Sequence, residues 1–211
     1  MLFATDVDLL HWEPALFREA APAAQLLLAG TGDLAATTFT LAGGSLLDAH
    51  IGPDQVITVS GSLAGSYPIV SVDSDTQLTL SVLYEGLSAA EGAPAPTPPG
   101  DAVALAYAIR SFWPQRKVVS DLIAHAAGLE AGATILNHAE LRRPCVLGTL
   151  QMIYSALAAA AATPAPLTAR ADLYERLYRR ALRCVHVQID TDNDGRPEIC
   201  RTLGDIKLIR T

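Results

Sequence analysis

The chain has 211 residues and a formal charge of −7; half of it is hydrophobic and only 6% is aromatic. That length suits one domain with an insertion or two small domains, and the alanine-heavy apolar fraction predicts helices that approach closely on small side chains. No stretch of 18 apolar residues occurs, the longest candidate being "ALAAAAA" (Ala156–Ala162), so a membrane span is not expected.

In chain order, residues 5–28 read as helical. Thr5 is placed to cap "DVDLL", and Pro14 opens a second piece, "PALFREAAPAAQLLLA", with a break at Pro22. From about residue 34 the period becomes alternating. "TTFTLAG", "DQVITVSG", "SYPIVSV" and "TQLTLSVLY" are β-rich runs separated by turn formers, with a hairpin turn at Asp73–Asp75. Short strands with frequent turns predict a small sandwich or barrel. Ser88–Ala102 reads as an extended Pro/Ala/Gly loop, and "VALAYAIRSF" as a strand returning to the β unit.

The helical period then resumes. Pro114 opens "PQRKVVSDLIAHAAGL", with Val118, Leu122, Ile123 and Ala126 on the expected core face and Gly128 as its stop. Asn137 with Glu140 has the spacing of a capping box for the next helix, whose stripe is Val146, Leu150, Ile153 and Leu157. "TPAP" (Thr163–Pro166) is a tight connection. The last helix, "TARADLYERLYRRALRC", presents Leu173, Tyr174, Leu177, Tyr178 and Ala181 as an apolar face. It also offers Asp172–Arg176 and Glu175–Arg179 as i,i+4 pairs. "VHVQID" and "DIKLIR" read as two strands around an acidic turn. The expected fold is α+β: a small helical bundle (an N-terminal helix plus three later helices), an inserted β-rich sandwich or barrel-like unit, and a C-terminal β-hairpin. Its divisions are 1–33 (helical), 34–112 (β-rich, with the loop 88–102), 113–183 (helical bundle) and 184–211 (hairpin and tail).

Motifs of catalysis are mostly missing. There is no GxSxG, GxxxxGK[ST] or HExxH, and the five histidines are scattered. Ser120, Asp121 and His125 do not form a triad, because Ser120 and Asp121 are adjacent on a helix and diverge by about 100°. Cys145, Cys184 and Cys200 are too few for a disulfide framework and have no zinc spacing; Cys184 and Cys200 flank the acidic turn and are expected as small buried or half-buried thiols. The N-terminus meets acidic residues at once and carries no basic leader, so a secretory signal is not expected.

The acidic turn "DTDNDGRPE" raises the one metal question. Hard calcium takes oxygen ligands at alternating loop positions, and Asp190, Asp192 and Asp194 stand at positions 1, 3 and 5, Gly195 at 6 and Glu198 at 9. Position 12, where a bidentate glutamate belongs, is Arg201. Two readings stand: a calcium-like loop, or a hairpin turn in which Asp, Asn and Gly supply only geometry.

Charge is unevenly spread. Residues 1–109 hold 12 acidic residues and one basic residue, Arg18, while residues 110–211 hold 10 acidic and 14 basic. Thirteen of the fifteen basic residues are arginine, a residue that favours interface ion pairs. Arg142, Arg143, Arg176, Arg179, Arg180 and Arg183 are the candidate interface set. They lack the aromatic platform of a nucleic-acid binder.

The order of "ATDVDLLHWEPALF", a β insertion, "WPQRKVVSDLIAHAAGL", "LRRPCVLGTLQMIYSALAAAA", "ADLYERLYRRALR" and "VQIDTDNDGRPE" resembles head–tail connector (neck adaptor) proteins of tailed bacteriophages, prophages and gene transfer agents. The similarity covers the helical segments 1–28 and 113–185 and the acidic turn; the β-rich part departs from the smallest adaptors. The resemblance implies a structural virion protein of the neck, made in the host cytoplasm, without catalysis or cofactor. It implies a ring, usually dodecameric, below the portal protein that extends the DNA channel and docks the next neck or tail protein. Genomic DNA would pass through the lumen without sequence-specific binding, and no membrane is involved. The alternatives are a tail-completion or stopper protein, and a calcium-dependent binding module.

Overall fold

A computed structural model describes residues 1–82, 96–130 and 132–203. The chain divides into two compact units: Thr5–Trp113, and Met1–Ala4 together with Pro114–Thr211. Both helices and strands are present, so the fold is α+β. No helix among the described residues is long and apolar enough to cross a membrane.

The first unit opens with α1 (Asp6–Trp12). Thr5 caps it in a full capping box: the Thr5 hydroxyl accepts from Asp8 N–H, and the Asp8 carboxylate accepts from Thr5 N–H at 2.7 Å. The helical reading ends earlier than the sequence suggests. After α2 (Leu16–Glu19) and one tight turn at Ala21–Ala23, the chain enters strand β1 (Gln25–Ala35). Gln25–Leu28 therefore belong to a strand and not to the end of a helix. They pair with β6 (Ala102–Ser111), Gln25 opposite Ser111 and Leu28 opposite Ile109.

The other strands fall where alternation places them: β2 (Thr38–Leu41), β3 (Val56–Ser60), β4 (Gly65–Val72) and β5 (Gln77–Leu80). Together the six close an antiparallel barrel in the order β1-β2-β5-β4-β3-β6. Its interior holds Phe39, Ile57, Leu78, Leu80, Leu105 and Ile109, all fully buried, at every second position of their strands. Phe39 and Tyr107 meet edge to face at 5.3 Å. Gly32 makes room for this pair: a Cβ there would lie 2.6 Å from Thr40 O and 2.7 Å from the Phe39 ring, so only glycine fits. Where β1 and β6 fall out of register, between Gly32 and Leu34, Asp33 accepts the Ala104 N–H at 2.7 Å and Ala104 takes φ 52°. The two ends of the unit are joined by Asp6. It is buried and accepts from the Ser111 hydroxyl at 2.6 Å and from Phe112 N–H at 3.0 Å. Of the loop expected at Ser88–Ala102, residues 88–95 lie outside the described residues.

In the second unit, α3 (Trp113–Ala127) ends at Gly128, whose φ of +67° supplies the left-handed stop. Its buried face differs from the one the apolar pattern suggests. Val119, Ile123 and Ala127 are buried with Arg116 and Ser120, whereas Val118 and Leu122 are 46% and 54% exposed and Ala126 is exposed. The cause is polar. Arg116 donates to Ala4 O at 2.7 Å and Ser120 Oγ accepts from Phe3 N–H at 3.3 Å, so this face holds the N-terminal residues in place. Asn137 does not cap a helix. Its amide donates to His186 O at 2.6 Å and its carbonyl accepts from Gln188 N–H at 2.9 Å.

Helix α4 (Arg142–Ala160) is buried on all sides from Pro144 to Leu150, so it is the central helix of this unit and not a helix with one stripe. Gly148 lies where a Cβ would stand 2.8 Å from Val119 and 3.1 Å from Tyr178. Helix α5 (Ala165–Cys184) buries only Ala171 and Tyr174; Leu177, Tyr178 and Ala181 are half-buried and Leu173 is 43% exposed. The rings of Tyr154 and Tyr174 stack at 5.7 Å, and Arg170 lies over Tyr154 while donating to its hydroxyl at 3.0 Å. Strands β7 (Thr134–Ile135), β8 (His186–Asp190) and β9 (Ile199–Thr202) form an antiparallel sheet. The expected return strand is "DIKLIR"; the observed one is Ile199–Thr202, and residues 205–210 lie outside the described residues.

Candidate functional site

The acidic turn is the tip of the β8–β9 hairpin. Strand β8 buries Val187, Ile189 and Asp190, so Asp190 begins the turn from a fixed position. Its carboxylate accepts from Asn193 N–H at 2.6 Å and from Gly195 N–H at 2.8 Å. Two left-handed residues, Asn193 (φ 62°) and Gly195 (φ 85°), fold the backbone around that carboxylate. Asp192 accepts from Asp194 N–H, Asp194 accepts from Arg196 N–H, and Glu198 reaches back to accept from Thr191 N–H at 2.6 Å. Asn193 also donates to Gly132 O at 2.9 Å, which ties the tip to the loop before β7.

This folding brings Asp190, Asp192, Asp194 and Glu198 together, with one carboxylate oxygen of each lying within 4.8 Å of all the others. Oxygens on opposite sides of one calcium ion stand about 4.6–5.2 Å apart, since each is about 2.3–2.6 Å from the metal. The spacing fits that cation, and each carboxylate keeps lone pairs that the loop bonds do not use. Arg201 serves elsewhere. Its guanidinium donates to Ala127 O at 3.2 Å, at the carbonyl end of α3 where a cation is favoured.

A second cluster lies on the helices. All six arginines, Arg142, Arg143, Arg176, Arg179, Arg180 and Arg183, lie outside the buried core. Arg142 and Arg143 occupy the first turn of α4, which holds no acidic residue. The helix dipole disfavours cations there, and both arginines have interactions within the chain. Arg179 pairs with Glu175, as the i,i+4 spacing predicts, but among the described residues Asp172 and Arg176 form no ion pair. Arg143 and Arg180 flank one groove of about 520 Å³, floored by Pro144, Leu177, Ala181 and Val185.

The remaining polar groups do not converge. Ser120 is buried against Phe3 and Cys145, Asp121 pairs with Lys117, and His125 is exposed. Cys145 is buried, and that burial pushes its thiol up, with hydrogen bonds from Ser120 and Thr149 acting the other way, as for a thiol packed in the core. Cys184 and Cys200 are exposed and unbridged, where the sequence suggests buried or half-buried positions. The sequence shows the acidic set, because its spacing is local. It does not show the groove, which needs the start of α4 beside the end of α5. No protein-family model matches the chain, no curated protein matches it, and no solved structure matches it.

Proposed function

We propose that the chain is a structural virion protein: a head–tail connector, or neck adaptor, that forms a ring below the portal, extends the DNA channel and docks the next neck or tail protein. The observation that carries this reading is the coincidence of charge with architecture. The unit Thr5–Trp113 holds 12 acidic residues against only Arg18 and Arg110, whereas the other unit holds more basic than acidic residues. Closed rings are built from heterologous contacts, which need two unlike surfaces on each subunit. A subunit that is acidic in one unit and arginine-rich in the other brings both. The acidic excess of the first unit suits the wall of a conduit, where repulsion keeps passing DNA from sticking. Particles assembled without this chain should accumulate as separate heads and tails. Particles that keep their genome and join their tails normally without it would remove the reading.

A calcium-dependent role is the second reading, favoured by the convergence of the four carboxylates. Titration calorimetry of the full chain with calcium should give micromolar binding that is lost in Asp192→Ala. No heat of binding to the unaltered chain would leave the turn as hairpin geometry alone.

A further inference from the structure

The groove between α4 and α5 has an apolar floor and an arginine rim, and the same chain carries its complement. In the loop between β2 and β3, Leu47 is 61% exposed, while its neighbour Leu46 is fully buried in the barrel core. This tip is locked in place. Asp75, in the turn between β4 and β5, accepts from the Ser45 hydroxyl at 2.5 Å and from Leu47 N–H at 3.2 Å, and its own carbonyl accepts from Leu46 N–H at 2.8 Å. Ser45 Oγ in turn accepts from Asp48 N–H at 3.0 Å. The result is an outward leucine held rigidly between two exposed carboxylates, Asp48 and Asp75. Pre-organised apolar anchors of this kind lose little freedom on docking.

We infer that the Leu47 tip of one copy docks in the α4–α5 groove of a second copy, with Leu47 on the floor of Leu177, Ala181 and Val185 and with Asp48 and Asp75 facing Arg180. Three observations favour a second copy over a foreign partner. The tip pairs an apolar anchor with negative charge, and the groove pairs an apolar floor with positive charge. Arg180 is exposed and makes no ion pair among the described residues. The tip also belongs to the unit with the large acidic excess. Glu140, which also lines the groove, has the opposing sign, so the favourable partner for the tip's carboxylates is Arg180. The contact is heterologous, because tip and groove are different surfaces, and so it propagates from copy to copy. The inference deepens the ring reading and rests on it.

Sedimentation of the full chain tests the contact. Both positions are exposed, so substitutions there leave the fold intact. Leu47→Asp, which destroys the anchor, and Arg180→Glu, which destroys the rim, should each weaken self-association about 30-fold or more. Raising the salt should weaken the unaltered chain in the same direction. The decisive measurement is the mixture. Leu47→Asp keeps its groove and Arg180→Glu keeps its tip, so the two together should form a one-to-one dimer and nothing larger. In a Cys200→Ser background, Leu47→Cys should crosslink to Cys184, which lines the groove, on another copy when a mild disulfide oxidant is added to accept the two electrons. Variants that associate as strongly as the unaltered chain would overturn this contact while leaving the ring, built by another surface. An unaltered chain that stays monomeric would overturn the second-copy assignment, and binding of an acidic leucine peptide to that monomer would make the occupant foreign. In either case the ring reading is decided separately, by particles assembled without the chain.

Discussion

Replacing Phe39 with alanine is expected to destabilise the barrel unit by about 3–5 kcal/mol. Phe39 is fully buried, its ring meets Tyr107 edge to face at 5.3 Å, and the missing side chain of Gly32 is what admits it. Strands β2 and β5 and the bulged β1 constrain the space around it, so the barrel cannot collapse to fill the void. Trp12 lies within this unit whereas Trp113 opens α3, so in a Trp113→Phe background the fluorescence of Trp12 in urea reads it. With a urea dependence of about 1–3 kcal/mol per molar, the midpoint should fall by about 1 M or more. Phe39→Leu, which keeps most of the volume, should cost less than half as much. A loss below about 1 kcal/mol for the alanine variant would mean that the interior is not packed as described.

The second large effect is expected in the helical unit. Tyr154→Ala removes a ring that is 1% exposed, stacked on Tyr174 and covered by Arg170, and it should cost about 3–5 kcal/mol, read by far-ultraviolet circular dichroism in urea. Tyr154→Phe separates the contributions. It keeps the stack and the cation over the ring and loses the hydroxyl with its hydrogen bond from Arg170, so a loss of about 1 kcal/mol is expected. If Tyr154→Phe costs as much as Tyr154→Ala, the hydroxyl and not the stack holds α4 to α5.

Strands β2 to β6 are legible in the sequence because alternation and turn chemistry are local signals. So is the Thr5 cap, and so is the Gly128 stop. Strand β1 is not legible at its start, because "AAQLLLA" has helical propensity and only pairing with β6, about 80 residues later, decides otherwise. The core face of α3 is hidden for a related reason. Apolar periodicity selects Val118 and Leu122, but Arg116 and Ser120 are buried by bonds to Ala4 and Phe3, more than 100 residues away. Asn137 resembles a cap and instead fastens β8. In each case a distant partner overrides a local preference. The acidic turn escapes this problem, since all its donors and acceptors lie within a few residues, apart from the single bond to Gly132.

The bonds of Asp6 matter for the gene as well as for the protein. Asp6 holds Ser111 and Phe112, so the chain leaves for the barrel and comes back from it at one clamped crossing. Everything between is a single uninterrupted stretch whose ends already touch. Such a cassette can be deleted behind a short linker, or exchanged for a different module, without prising its flanks apart.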